Sequence, residues 1–85
     1  QKGINLYQQK DYLGAEAAFR RVISINSTND VVHLLLGDSL MQQDKVEAAI
    51  SEYQQVIERA PKKVDAYLRL AQAFMQQQKS QEAIA

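Results

Sequence analysis

An all-α array of antiparallel helix pairs is the fold class this sequence predicts, and three observations predict it. The first is a repeat: Gln8-Gln9, Gln42-Gln43 and Gln76-Gln77 are separated by 42 − 8 = 34 and 76 − 42 = 34 residues. The same step carries Gly3 onto Gly37 and Ala71, Leu6 onto Leu40 and Phe74, and Ala15 onto Ala49 and Ala83. It also carries Phe19, Val22 and Ile23 onto Tyr53, Val56 and Ile57. A fixed period in the range of about 20–50 residues belongs to stacked supersecondary units rather than to one globular weave. The second observation is helical periodicity: Val31, Leu34, Leu35, Leu40 and Met41 recur at three- and four-residue steps, as do Val46, Ala49, Ile50, Tyr53, Val56 and Ile57. The third is the placing of breakers, with Ser27-Thr28-Asn29 between two runs and Pro61 at the same place one period later.

Six helices follow in order, over 2–9, 12–25, 30–43, 46–59, 64–78 and 80–85. Asn29 or Asp30 offers a side-chain oxygen to cap the third. Asp44 with Glu47 has the form of a capping box at the start of the fourth. Ser80 caps the sixth, with Glu82 favourable in its first turn. Gly14 is the odd residue in the second helix, costing about 0.5–1 kcal/mol relative to Ala. Gly37 and Ala71 on first helices, with Ala49 and Ala83 on second helices, let the paired backbones approach. Phe19 and Tyr53 are expected to fill the space between successive units.

The bulk composition excludes several function classes. With 85 residues the chain makes one small domain with a modest core. Lys+Arg and Asp+Glu number 10 each, so the net charge is zero. Such a balance does not favour nucleic acid, whose non-specific binding needs a basic surface, nor a polybasic membrane-surface role. No apolar run reaches the roughly 20 residues of a membrane span. The absence of cysteine removes disulfides and thiolate metal sites. It does not identify the compartment.

Catalytic constellations are missing too. There is one histidine and no phosphate-cradling glycine loop, the glycines being Gly3, Gly14 and Gly37. His33 reads as a packing residue between helices. Glu47, Glu52 and Glu58 are spaced along a solvated helix face, which does not suit a pair of carboxylates dividing acid and base roles. Asn26-Ser27-Thr28 has the form of a glycosylation acceptor but serves better as the turn between units. No enzyme, cofactor or metal is expected.

In phase, the repeat resembles the tetratricopeptide repeat family over essentially the whole chain. The middle unit carries the fullest match, with Leu36-Gly37, Leu40, Ala49, Tyr53, Val56 and Pro61. The third matches with Tyr67, Leu70-Ala71, Phe74 and Ala83, and the first with Gly3, Tyr12, Ala15, Phe19 and Val22. Ser27 departs from the usual Pro, and His33 from the usual aromatic residue. The resemblance implies a right-handed α-solenoid with units at about 1–29, 30–63 and 64–85. In that phase Gln1 starts inside a helix and Ala85 ends inside one, leaving Ile84 uncovered. The chain then reads as a segment of a longer array, or as one whose ends are covered by a second copy.

The resemblance further implies a concave groove lined by the first helix of each unit. The first unit would give Ile4, Tyr7 and Gln8, and the second Val31, Leu34, Asp38, Met41 and Gln42. The third would give Asp65, Leu68, Gln72, Met75 and Gln76. Tyr7, Leu34, Met41, Leu68 and Met75 would form an apolar track, with methionine adaptable to varied partners. Leu34 and Leu68 fit a core role equally. The glutamines can hydrogen-bond a peptide backbone, and Asp38 and Asp65 can meet a cation. The carboxylate clamp of some family members is disfavoured: Ile4 and Leu35 stand in place of its Asn residues and Asp65 in place of a Lys, and only Arg69 agrees. The expected function is a non-catalytic protein-interaction module holding an apolar or amphipathic peptide or helix of a partner. The alternative is a spacer or homo-oligomerising element acting through its open ends.

Overall fold

The computed structural model describes residues 2–84, and the side chains of residues 2–79. The helices are α1 (Lys2–Gln8), α2 (Tyr12–Ile25), α3 (Asp30–Gln42), α4 (Val46–Arg59) and α5 (Val64–Ile84). Each packs against the next in chain order. The result is a slab of 41 × 30 × 18 Å. Its thin dimension matches two helix layers of about 10 Å each.

The 34-residue period is legible in the backbone itself. Lys10 and Asp44, one period apart, both adopt left-handed φ, at 65° and 61°. Around them α1 and α3 end alike. Asp11 N donates to Leu6 O and Lys45 N to Leu40 O, each at 2.9 Å. A six-to-one bond over a left-handed residue is the Schellman way of stopping a helix and satisfying its last carbonyls. The turn after the second helix repeats too, with Asn26 N bonded to Val22 O and Ala60 N to Val56 O.

Two cap assignments differ from the sequence reading. Asn29 caps α3 as expected, accepting from Val32 N at 3.2 Å. Asp44 does not cap α4, because it occupies the left-handed position of the turn and the N-cap falls on Lys45. Asp11 caps α2 instead, accepting from Gly14 N at 3.0 Å. Gly14 thereby gains a reason, since a Cβ there would lie 2.5 Å from the capping carboxylate.

The core is built by rings lying on glycines. A Cβ on Gly3 would stand 2.5 Å from the Phe19 ring, and one on Gly37 would stand 2.4 Å from the Tyr53 ring. Both rings are fully buried. They fill the crossing within their own helix pair, α1 with α2 and α3 with α4, rather than only the space between units. Around them pack Ala15, Leu36, Leu40, Ala49 and Val56. Leu34 joins this core at 3% exposure, which corrects its expected place in a groove.

Polar ties join the successive pairs. Glu16 accepts from Arg20, Lys45 and Gln43, and Gln43 also reaches the Tyr12 carbonyl. Burial alone would raise the Glu16 pKa, and those three donors outweigh it and hold the carboxyl below its usual range. His33 is a core residue, 4% exposed, with Nε2 2.8 Å from the Ser27 carbonyl. A carbonyl only accepts, so Nε2 carries hydrogen. Nδ1 makes no hydrogen bond and faces the Glu52 carboxylate at 3.5 Å. Glu52, expected on a solvated face, has a side chain only 13% exposed.

α5 is the main departure. The sequence predicts a break before Ser80, but the helix continues through it to Ile84. Gln78 occupies the position of Lys10 and Asp44, yet no left-handed residue interrupts this helix. A left-handed non-glycine residue costs about 1–2 kcal/mol. In the first two pairs the return helix offsets that cost by burying Phe19 or Tyr53. Residues 79–85 carry no such ring, and Gln, Lys and Ala continue a helix readily. The side-chain roles expected of Ser80, Glu82, Ala83 and Ile84, and everything expected of Gln1 and Ala85, lie outside the described residues. On α5, Tyr67 and Phe74 are 44% and 47% exposed, whereas His33 and Leu40, one period earlier, are buried beneath α4.

Gly37→Leu should therefore destabilise the fold by about 1–3 kcal/mol, the usual cost of overpacking a filled core, despite leucine's better helix propensity. Chemical denaturation measures it, and an unchanged or higher midpoint would contradict the ring-on-glycine packing.

Candidate functional site

A cleft of about 420 Å³ opens where α1, α3, α4 and α5 meet. Its volume falls in the range of about 300–1,000 Å³ typical of ligand sites. α1 contributes Tyr7 and α3 contributes Asp38, Met41 and Gln42. α4 contributes Tyr53, and α5 contributes Asp65, Leu68, Arg69 and Gln72. The period explains why these meet. Tyr7 and Met41 share one repeat position, as do Asp38 and Gln72, so equivalent faces of successive first helices line up side by side.

Helix geometry sets each side chain. Asp38, Met41 and Gln42 fall three and four residues apart on α3, and Asp65, Leu68, Arg69 and Gln72 do the same on α5, so each set shares one face. Tyr7 is steadied by Tyr12, its ring edge-on at 5.2 Å and 71°. Burial and then the nearby Asp38 carboxylate push the Tyr7 phenol above its ordinary value.

Asp38 is the hub. The Tyr53 hydroxyl donates to its Oδ1 at 2.7 Å, and Arg69 Nε donates to Oδ1 and Oδ2 at 3.0 and 3.1 Å. Arg69 Nη1 donates to Asp65 Oδ2 as well. One guanidinium is thus shared by two carboxylates. Asp38 and Arg69 are largely covered, at 20% and 26% exposure, while Asp65 is 58% exposed. Tyr53 is driven far above the ordinary phenol range, first by burial and then by its bond to Asp38.

The residues expected in a groove therefore divide. Tyr7, Asp38, Met41, Gln42, Asp65, Leu68 and Gln72 meet at the cleft. Ile4, Gln8, Val31, Met75 and Gln76 are exposed but do not line it. Leu34 is core. Two lining residues stand outside the expected set. Tyr53 reads from the sequence only as packing, and nothing there shows its hydroxyl emerging beside Asp38. Arg69 reads only as one clamp position. The signal for it is its place four residues after Asp65, an ion-pair spacing on a helix. An anion-holding role does not suit this Arg69, since its charge is taken up by two aspartates.

Among the described residues, no group of three or more His, Asp or Glu side chains is placed to hold a metal. No helix among them is long and apolar enough to cross a membrane.

Helices packed each on the next, with turns and packing glycines recurring at one period, define a helical-repeat solenoid. Comparison with known families makes the class specific: one tetratricopeptide repeat model matches residues 6–54 and another matches residues 34–85. The chain belongs to the tetratricopeptide repeat family, whose members generally mediate protein–protein interaction and are typically non-catalytic. Among curated proteins, nothing matches the chain.

The Tyr53 proton is held more tightly in the folded chain than in the unfolded one. The stability this contributes is complete below the ordinary phenol value of 10.0 and declines as pH rises above it. In an alkaline titration followed by phenolate absorbance, Tyr53 should ionise only as the helices unfold. Tyr53→Phe should remove that part of the alkaline destabilisation; an unchanged pH profile in this variant would contradict it.

Proposed function

We propose that this chain is a non-catalytic interaction module that holds an apolar or amphipathic segment of a partner protein in the cleft between α1, α3 and α5. The observation that carries this reading is the composition of the cleft wall. Met41 is half-buried and Leu68 is 60% exposed. Together with the Tyr7 ring they form an apolar floor open to solvent. Gln42 and Gln72 flank it, both exposed, with amide groups able to bond a peptide backbone. Apolar anchors set among a few directional polar groups are what a peptide groove requires.

The uncovered Tyr67 and Phe74 on α5 suit a second copy or a further helix equally, so they carry no separate reading.

The test is selection of peptides from a random display library on the immobilised chain, followed by titration against two variants. Leu68→Glu and Met41→Glu each put a charge on the apolar floor and should weaken the selected peptides by about tenfold or more, the scale of losing a central anchor. Leu68 is exposed enough for that change to spare the fold, which circular dichroism verifies. Peptides that bind both variants as well as the parent would overturn the groove reading.

A further inference from the structure

We infer that the segment held in this cleft presents a cationic side chain, Lys or Arg, beside its apolar anchor, and that Asp65 receives it. The inference rests on the cleft reading above and adds the chemistry of the occupant.

The charge count of the wall leads there. Its charged residues are Asp38, Asp65 and Arg69, so two carboxylates face one guanidinium and the cleft carries a net charge of −2 + 1 = −1. That excess is not spread evenly. Asp38 already accepts from both Tyr53 and Arg69 and is largely covered. Asp65 shares the same Arg69 through one nitrogen and remains 58% exposed. A carboxylate has about four lone-pair sites, so Asp65 keeps room for a second donor.

Burial makes the asymmetry lasting. Arg69 cannot turn wholly to Asp65, because its Nε is held by both oxygens of Asp38. An arriving anion would meet two aspartates around a guanidinium already spoken for. A neutral anchor would leave the excess charge in a concave, partly desolvated site, where fields are focused. A cation cancels it. The long alkyl stem of Lys or Arg also fits the walls: it can lie on Leu68, one turn from Asp65, while its head stays at the rim. Rim charge pairs of this kind tune partner choice and association rate more than total affinity.

The experiment uses the same random peptide library. Sequences of the selected peptides should be enriched in a Lys or Arg within one helical turn or a few extended residues of the apolar anchor. Asp65→Asn should weaken them about two- to fivefold, the worth of an exposed ion pair. Asp65→Lys should weaken them more, and replacing the peptide's cation by Met should cost the same factor and add nothing in the Asp65→Asn background. The control is Asp44→Asn, which removes one negative charge from a turn outside the cleft and tolerates its left-handed backbone; it should leave affinity unchanged. Binders that lack a cation, or that ignore Asp65→Asn while losing affinity to Leu68→Glu, overturn this inference and leave the groove reading standing. A library yielding no binder overturns both.

Discussion

The carboxylate of Asp38 is the constraint on which the rest of the site depends. It stands on α3 and accepts a hydrogen bond from a hydroxyl on α4 and from a guanidinium on α5. Three helices are thereby registered at one point. A largely covered carboxylate with one neutral and one charged donor is well satisfied, and removing either donor would leave part of it unmet. The same bonds aim the buried Tyr53 ring, and that ring fills the space left by Gly37. The packing of the core and the electrostatics of the cleft are therefore one arrangement seen from two sides.

Much of the fold is legible in the sequence because it is periodic. A 34-residue step shows in the glycines, the rings and the turn residues, and short-range signals place α2 and α4 to the residue. What is not legible depends on tertiary context. Nothing local distinguishes Asp44 as a left-handed turn residue from Asp44 as a cap. Gly14 looks like a flaw until Asp11 is seen to need the space. At Ser80 local signals point both ways, because serine is a residue type that caps well yet stands here among residues that continue a helix.

The cleft is half legible for a related reason. Helical spacing and phase bring Tyr7, Asp38, Met41, Gln42, Asp65, Leu68 and Gln72 to one place. Spacing does not say where that place ends. Ile4, Val31 and Met75 obey the same period and fall outside it, and Leu34 turns into the core. Tyr53 enters through a contact across 15 residues, beyond the reach of any local pattern, and local spacing shows Arg69 only as a partner of Asp65, not of Asp38 31 residues away. Arg69 offsets one of the two negative charges that Asp38 and Asp65 bring to the cleft, and Tyr53 occupies an acceptor site of Asp38.

A double-mutant cycle between Tyr53→Phe and Arg69→Met tests the role of Asp38 most directly. Each change removes one donor to the same carboxylate while keeping the bulk of the side chain. Stabilities from chemical denaturation should be non-additive, with a coupling of about 0.5–3 kcal/mol, as for residues sharing one network. Additivity within about 0.3–0.5 kcal/mol would mean that the two bonds act independently and that Asp38 does not tie the helices together.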